Sequence, residues 1–131
     1  MSLLSESTHL INAAAVSGHL FLLGGSVAII SPRSALGAFG LTVPTAPESQ
    51  RLVDLLIPLY GFREISLGIS MVAASRYGSP KTLGWAVMSL GAITVGDAWI
   101  AQKQSRKMGW IFLGITPVTT ALAAGLLGYF D

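Results

Sequence analysis

The sequence predicts an all-α protein, an integral membrane four-helix bundle forming one transmembrane domain over residues 1–131. Three observations carry this expectation. Hydrophobic residues make up 52% of the chain and charged residues only 11%, against about 25% charged in an ordinary soluble domain. Four windows reach the roughly 20 apolar residues that a helix needs to cross a bilayer. The period-two alternation of a half-buried strand is absent.

The length of 131 residues is about one domain's worth of chain. A body that small exposes most of its surface and in water would need more polar residues than this. The mean hydropathy of +0.66 agrees. A disordered tail, a nucleic-acid binder and a secreted disulfide scaffold are all disfavoured, and no nucleic-acid partner is expected. The net charge of +2 comes from very few charges. With no cysteine in the chain, disulfides, thiolate catalysis, Cys-ligated zinc and iron–sulfur clusters are excluded.

The first span runs over 9–30 and ends at Ser31-Pro32-Arg33. Met1–Thr8 has no basic residue and contains Glu6, so the charged start of a signal peptide is missing. This span is therefore read as permanent. The second span covers 51–75 and is closed by Tyr77-Gly78-Ser79-Pro80. The third covers 81–102, before Lys103-Gln104-Ser105-Arg106-Lys107. The fourth covers 109–130. The longest connection, Ser31–Gln50, holds Pro32, Pro44 and Pro47 with Gly37 and Gly40. It is expected to lack a continuous helix and to lie at the interface or over the helix ends.

Lys and Arg set the orientation. Arg33, Arg51, Lys103, Arg106 and Lys107 flank the first and third loops, against Arg76 and Lys81 at the second. The first and third loops are expected to face the cytoplasm. Ala14/Gly18, Ala92/Gly96, Ala121/Gly125 and Ala124/Gly128 are small-xxx-small pairs that let helix backbones approach in lipid. Packing within one bundle is sufficient to explain them, and one such face could also serve a homo-oligomer.

The informative residues are those that lipid should exclude. Arg63 and Glu64 lie at the centre of the second span, Asp97 within the third and His19 at the centre of the first. An ionic group at mid-bilayer costs at least about 2.5–3.5 kcal/mol on insertion scales and is a functional candidate by default. Arg63 and Glu64, adjacent in sequence, leave the helix about 100° apart, so they are not expected to pair face to face. Tyr60 lies one turn before Glu64, within reach of its carboxyl. Pro58 removes a helix hydrogen bond, a break best tolerated beside a cavity or a polar group. Asn12, His19 and Ser26, spaced by seven, form one stripe expected to face the second span. Asp97 lies about 7–8 Å inside its span's end at 1.5 Å per residue. Arg63 could reach it, which would leave Glu64 the less neutralised carboxyl, a proton donor in a dry pocket. Against this stands a plain structural role, an internal ionic staple that fixes helix register. A lone His19 is more simply a packed, hydrogen-bonded residue. No metal is expected: His9 and His19 are too far apart on one helix to share an ion, and no His-x-x-x-His or Glu-x-x-His pair exists.

At these residues a family likeness enters. The segment Tyr60-Gly61-Phe62-Arg63-Glu64-Ile65-Ser66-Leu67-Gly68-Ile69 resembles the G-x-R-[DE]-x-x-x-G signature of a family of small four-helix membrane proteins of fungi and bacteria, the DUF4267-like proteins. The run Leu90-Gly91-Ala92-Ile93-Thr94-Val95-Gly96-Asp97-Ala98 resembles that family's second signature, a glycine and an aspartate in the third span. The likeness implies a four-span fold and polar residues of interest at Gly61, Arg63, Glu64, Gly68, Gly96 and Asp97. It brings no agreed reaction. Fungal members often accompany secondary-metabolite enzymes, which implies a role on lipophilic polyketide or terpenoid intermediates. For a fungal source it implies the endoplasmic reticulum membrane. Two other small four-span families fit worse. Glutathione-using membrane enzymes carry an asparagine that the second span lacks here, and small multidrug exporters carry a glutamate in their first span.

Three functions compete for these residues. The first is an enzyme without a cofactor that isomerises, cyclises or hydrolyses a lipophilic small molecule. No glycine-rich phosphate loop follows a strand, so no nucleotide is expected. Glu64 or Asp97 would supply a proton, His19 or the other carboxylate would take one back, Arg63 would hold an oxyanion or carboxylate, and Tyr60 would orient Glu64. Trp85 and Trp99 could line an apolar pocket, although such tryptophans are more often packing or belt residues. The second is a small oligomeric proton-coupled transporter, and the third a non-catalytic accessory subunit. Membrane lipid and a lipophilic substrate are the partners expected.

Overall fold

All four apolar windows are helical in the computed structural model of the protein, which describes residues 3–104 and 106–131. After a single 3-10 turn at Leu4–Glu6 come α1 (Thr8–Ile30), α2 (Pro32–Ala38), α3 (Pro47–Tyr77), α4 (Pro80–Gln104) and α5 (Arg106–Leu127). No strand occurs among the described residues. Four of these helices, all but α2, are long and apolar enough to cross a membrane. The reason is general: within lipid a backbone must satisfy its own hydrogen bonds, and a helix does so within one segment. The chain is an integral membrane protein.

Proline sets three of the starts. Pro32, Pro47 and Pro80 each open a helix, at the position where a missing N–H costs nothing. Ser79 caps α4, its Oγ accepting the Thr82 amide at 3.2 Å. Glycine sets two of the ends. Gly40 (φ 72°) follows α2 and Gly128 (φ 86°) follows α5. The Leu41 amide returns to the Leu36 carbonyl at 3.3 Å, and the Tyr129 amide to that of Ala124 at 3.1 Å, the closure a left-handed residue permits.

The 31–50 connection holds no continuous helix, but it is not all loop: Pro32 nucleates α2, and Pro47 starts α3 four residues earlier than the hydropathy suggested. Pro58 lies within α3, which runs through it as one span. Of the basic stretch 103–107, residue 105 and the side chains of 104 and 106 lie outside the described residues.

The chain divides into two compact units, Gly18–Ile69 and Met1–Ser17 with Ser70–Asp131. In the second of these, α4 and α5 pack antiparallel. A Cβ at Gly84 would stand 2.9 Å from the Leu127 side chain, and at the other end Gly109 lies against Gln102. Leu83, Val87, Leu90, Ala123 and Leu126 are buried there. Ser5 is tied to the C-terminal end: its amide donates to Asp131 Oδ1 at 2.9 Å and its hydroxyl to Oδ2 at 2.5 Å.

In the Gly18–Ile69 unit, α1 and α3 also run antiparallel, and glycines bring them together. A Cβ at Gly25 would lie 2.5 Å from the Gly61 carbonyl oxygen, and a Cβ at Gly68 would lie 2.7 Å from that of Gly18. Backbone therefore meets backbone at both points, as small residues allow in lipid. α2 and the chain after it are fastened to α3. Arg33 makes a two-pronged pair with Asp54, at 3.1 Å from Nε and 2.9 Å from Nη2. The Gln50 side-chain amide donates to the Pro44 carbonyl at 3.0 Å. The Phe39 ring meets Tyr60 edge-on, with centroids 5.6 Å apart. Within the unit this connection therefore packs along the first half of α3.

Candidate functional site

A single face of α3 carries Gly61, Glu64, Gly68 and Met71, all buried. Their spacing of three, four and three keeps them in one row along a helix. Gly61 and Gly68 meet α1, and Glu64 lies between them. Its Cβ would stand 3.0 Å from a Cβ added at Gly25. The carboxylate-bearing residue is thus only 6% exposed, set into a seam that two glycine contacts hold closed.

Arg63 sits at the edge of that seam. Its Nη2 lies 3.6 Å from Glu64 Oε1, with the arginine side chain 39% exposed and the glutamate side chain 8% exposed. The guanidinium carbon stands 4.5 Å from the centroid of the Tyr60 ring. That placement lets the ring's negative face balance part of the charge. Phe39 from beyond α2 braces the same ring. The result is a short series, Phe39–Tyr60–Arg63–Glu64, that runs from an aromatic brace to a buried acid.

This geometry corrects the expectation that Arg63 and Glu64 do not pair with each other. Their Cα–Cβ bonds do diverge by about 100°. The arginine, however, lies along the helix over Tyr60, one turn back, and its far end returns to its neighbour. The length of the side chain overrides the angle at its base. Tyr60 holds a place at the site, and its ring contacts Arg63 on its face and Phe39 edge-on.

The remaining candidates are placed elsewhere. His19 is exposed on α1, as is Asn12, while Ser26 is half-buried and its hydroxyl donates to its own helix at Leu22. The stripe therefore does not form the contact with α3. Gly18 and Gly25 do, because backbone contact requires the helix face without side chains. Asp97 lies on α4, in the other unit, half-buried one turn after Thr94. Thr94 is itself buried and bonded to the Gly91 carbonyl. Trp85 and Trp99 are each 65% exposed, so neither lines an interior pocket; Trp99 instead carries the Lys103 amine 4.0 Å above its ring. Of the small-residue pairs, Ala14 and Gly18 are buried as expected, whereas Ala92 and Gly96 are exposed. No cluster of three or more metal-ligating side chains occurs among the described residues.

Sequence reasoning overlooked Gly25 and gave Phe39 no role. A signal for Gly25 existed: Gly18 and Gly25 are seven apart, as are Gly61 and Gly68, and equal spacings match in an antiparallel pair. No such signal marked Phe39, whose position depends on how α2, which it caps, is fastened to α3.

Residues 18–127 match the family described as Domain of unknown function (DUF4267). The chain belongs to this family. No curated protein and no solved structure matches it. The DUF4267 match spans both the Gly61–Gly68 segment and the Gly96-Asp97 pair. In the first of these, the G-x-R-[DE]-x-x-x-G pattern quoted above now has a physical reading. The two glycines close α3 against α1, the acid is enclosed between them, and the arginine stands at the rim.

Proposed function

We propose that this chain is a membrane-embedded, cofactor-independent enzyme that performs acid–base chemistry on a lipophilic small molecule. The observation that carries the reading is the enclosure of Glu64 between two backbone contacts, with the guanidinium of a part-exposed arginine 3.6 Å from its carboxylate. One partner is enclosed and the other is part-exposed, an asymmetry that supports a pair able to meet a substrate.

In this reading Arg63 binds the substrate oxygen on which negative charge builds, where a preorganised cation in a dry site acts most strongly. Glu64 takes a proton from one carbon and returns it to another. The net change is an isomerisation, with no oxidant, reductant or leaving group needed. Cyclisation would use the same proton traffic, whereas hydrolysis would add water as co-reactant, its OH going to one product and its proton to the leaving group. Tyr60 positions Arg63. A secondary-metabolite intermediate is the proposed substrate, and its class rests on the family resemblance. The endoplasmic reticulum is the proposed location for a fungal source, with the first and third connections in the cytoplasm.

The test is made in the producing host with Glu64→Gln, Arg63→Lys and Asp97→Asn, reading both the metabolite profile and the amount of folded protein. The reading expects normal folding and an accumulated precursor for Glu64→Gln and Arg63→Lys. Wild-type metabolites from both would end it. Loss of folded protein in both would return the pair to a structural role. Asp97→Asn asks separately whether the second signature shares in the chemistry.

A further inference from the structure

The two spans α4 and α5 meet the membrane edge at one turn. The apolar stretch of α4 closes at Lys103 and that of α5 opens at Gly109, and Gly109 lies against Gln102. The residues between stand where the hydrocarbon gives way to lipid headgroups. Lys103 and Lys107 are exposed there. So are Trp99 on α4 and Trp110 on α5, at 65% and 66%. Arg106 belongs to the same stretch of sequence, and its side chain lies outside the described residues.

The charge of this edge is one-sided. From Ala98 to Phe130 the chain has Lys103, Arg106 and Lys107 and no Asp or Glu. The acids of this compact unit are Glu6, Asp97 and Asp131. Asp131 is held by Ser5, next to Glu6, at the opposite end of the helix pair. Lys81 is at that end too, and its charge acts on the Asp131 carboxyl. Asp97 lies six residues before Lys103, about 9 Å deeper along α4 and about 120° around it.

The placement of Lys103 indicates the ligand. Its amine stands 4.0 Å from the centroid of the Trp99 ring. Trp99 is one turn nearer the hydrocarbon, so the ring draws the ammonium back toward the membrane surface. An ammonium has three N–H donors, and a ring face engages only one side of it. The indole N–H is likewise a donor only. Cations and indoles together make a surface of donors, which suits phosphate and ester oxygens. A phospholipid presents both at this depth. An anionic one also brings a net charge, which phosphatidylcholine cancels with its own ammonium. Three cations are fewer than the about four to eight of a polybasic segment that lies across a membrane surface, and they suit a single headgroup.

We propose that the α4–α5 turn binds an anionic phospholipid of the adjoining leaflet, with Lys103 and Lys107 on its phosphate and Trp99 and Trp110 among its glycerol esters. This goes beyond the chemistry proposed at Glu64, and either statement can fail without the other.

The test uses the full chain with Trp99 as its sole tryptophan (Trp85→Phe, Trp110→Phe). It is reconstituted in phosphatidylcholine vesicles holding a minor fraction of phosphatidylglycerol. Either the phosphatidylglycerol or an equal amount of the phosphatidylcholine is brominated in the upper acyl chain, so the membrane charge is the same in both. Brominated phosphatidylglycerol should quench Trp99 at least about twofold more, since each cation near an anionic headgroup favours it several-fold. Lys103→Gln or Lys107→Gln should lower that preference and the two together should remove it, whereas Lys103→Arg with Lys107→Arg should keep it. Trp85 as sole tryptophan, four residues from Lys81 at the other end of α4, should show none. Equal quenching of Trp99 by the two lipids would overturn the proposal. So would a preference that survives the double Gln substitution, or one that Trp85 shares. Inorganic phosphate, compared with chloride at equal ionic strength, should leave the preference unchanged. Its loss in phosphate alone would assign the cations to a soluble anion and overturn the lipid. Circular dichroism of each variant checks that these exposed substitutions leave the helices intact.

Discussion

Gly25 and Gly61 face each other so closely that each one's absent Cβ would meet the other's carbonyl oxygen, at 2.5 Å from position 25 and 2.7 Å from position 61. No real side chain fits either distance. The contact sets the height at which Glu64 enters the seam, so the position of the acid depends on two residues that carry no chemistry.

A first prediction concerns that contact. Gly61→Ala should destabilise the protein by about 1–3 kcal/mol, the usual cost of overpacking a rigid interface. Gly114 provides the contrast, since a Cβ there meets nothing within 4 Å. Gly114→Ala should be neutral or stabilise by up to about 1 kcal/mol, the intrinsic helix gain. Reversible unfolding in mixed micelles separates the two. Equal effects would contradict the glycine seam.

The aromatic brace makes a second prediction. Phe39 and Tyr60 meet edge to face, and such pairs couple by about 0.5–1.5 kcal/mol in double-mutant cycles. A Phe39→Leu, Tyr60→Leu cycle should return a coupling in that range. Tyr60→Phe keeps a ring beneath Arg63 and should lose less than Tyr60→Leu, which removes a cation–π contact of about 0.5–2 kcal/mol.

Acid provides a third test at the opposite end of the chain. Hydrogen bonds from the Ser5 hydroxyl, and then from the Ser5 amide, hold the Asp131 carboxyl below its ordinary range. A carboxyl whose folded pKa is depressed contributes stability that is complete above its unfolded pKa, about 3.9. That contribution is lost as pH falls through the lower folded value. The Ser5 amide resonance should therefore be constant from pH 8 to pH 5 and shift only under stronger acid. Asp131→Asn should abolish the shift. A midpoint above the ordinary aspartate value would contradict the clasp.

Membrane insertion is checked by tryptophan. Trp85, Trp99 and Trp110 are exposed by 65%, 65% and 66%, and interfacial aromatics sit at the edge of the hydrocarbon region. Each retained alone, with the other two replaced by Phe, should be quenched by brominated phospholipid in vesicles. A tryptophan quenched by aqueous acrylamide and not by bromolipid would place its helix outside the bilayer.

How far these features were legible in the sequence varies by residue. Arg63, Glu64 and Tyr60 were identified as a group because ionic residues are expensive in an apolar span, and that cost is local. The ion pair between the first two was not legible. It depends on how the arginine chain lies across Tyr60, which Phe39 braces from a separate helix end. His19 was read as inward for a related reason. α1 is apolar on nearly every side, so its composition marks no inner face, and a seven-residue stripe fits a partner within the chain or beyond it equally well.

The sequence by itself determined that the chain is helical and spans a membrane with four segments, because a bilayer demands long apolar stretches that satisfy their own backbones. It also determined which ionisable groups fall within those apolar segments. Only the tertiary structure decided which face of each helix turns inward. In lipid that choice follows close backbone approach more than hydrophobic burial, and close approach is a property of two helices together: Gly25 acquires its meaning from Gly61.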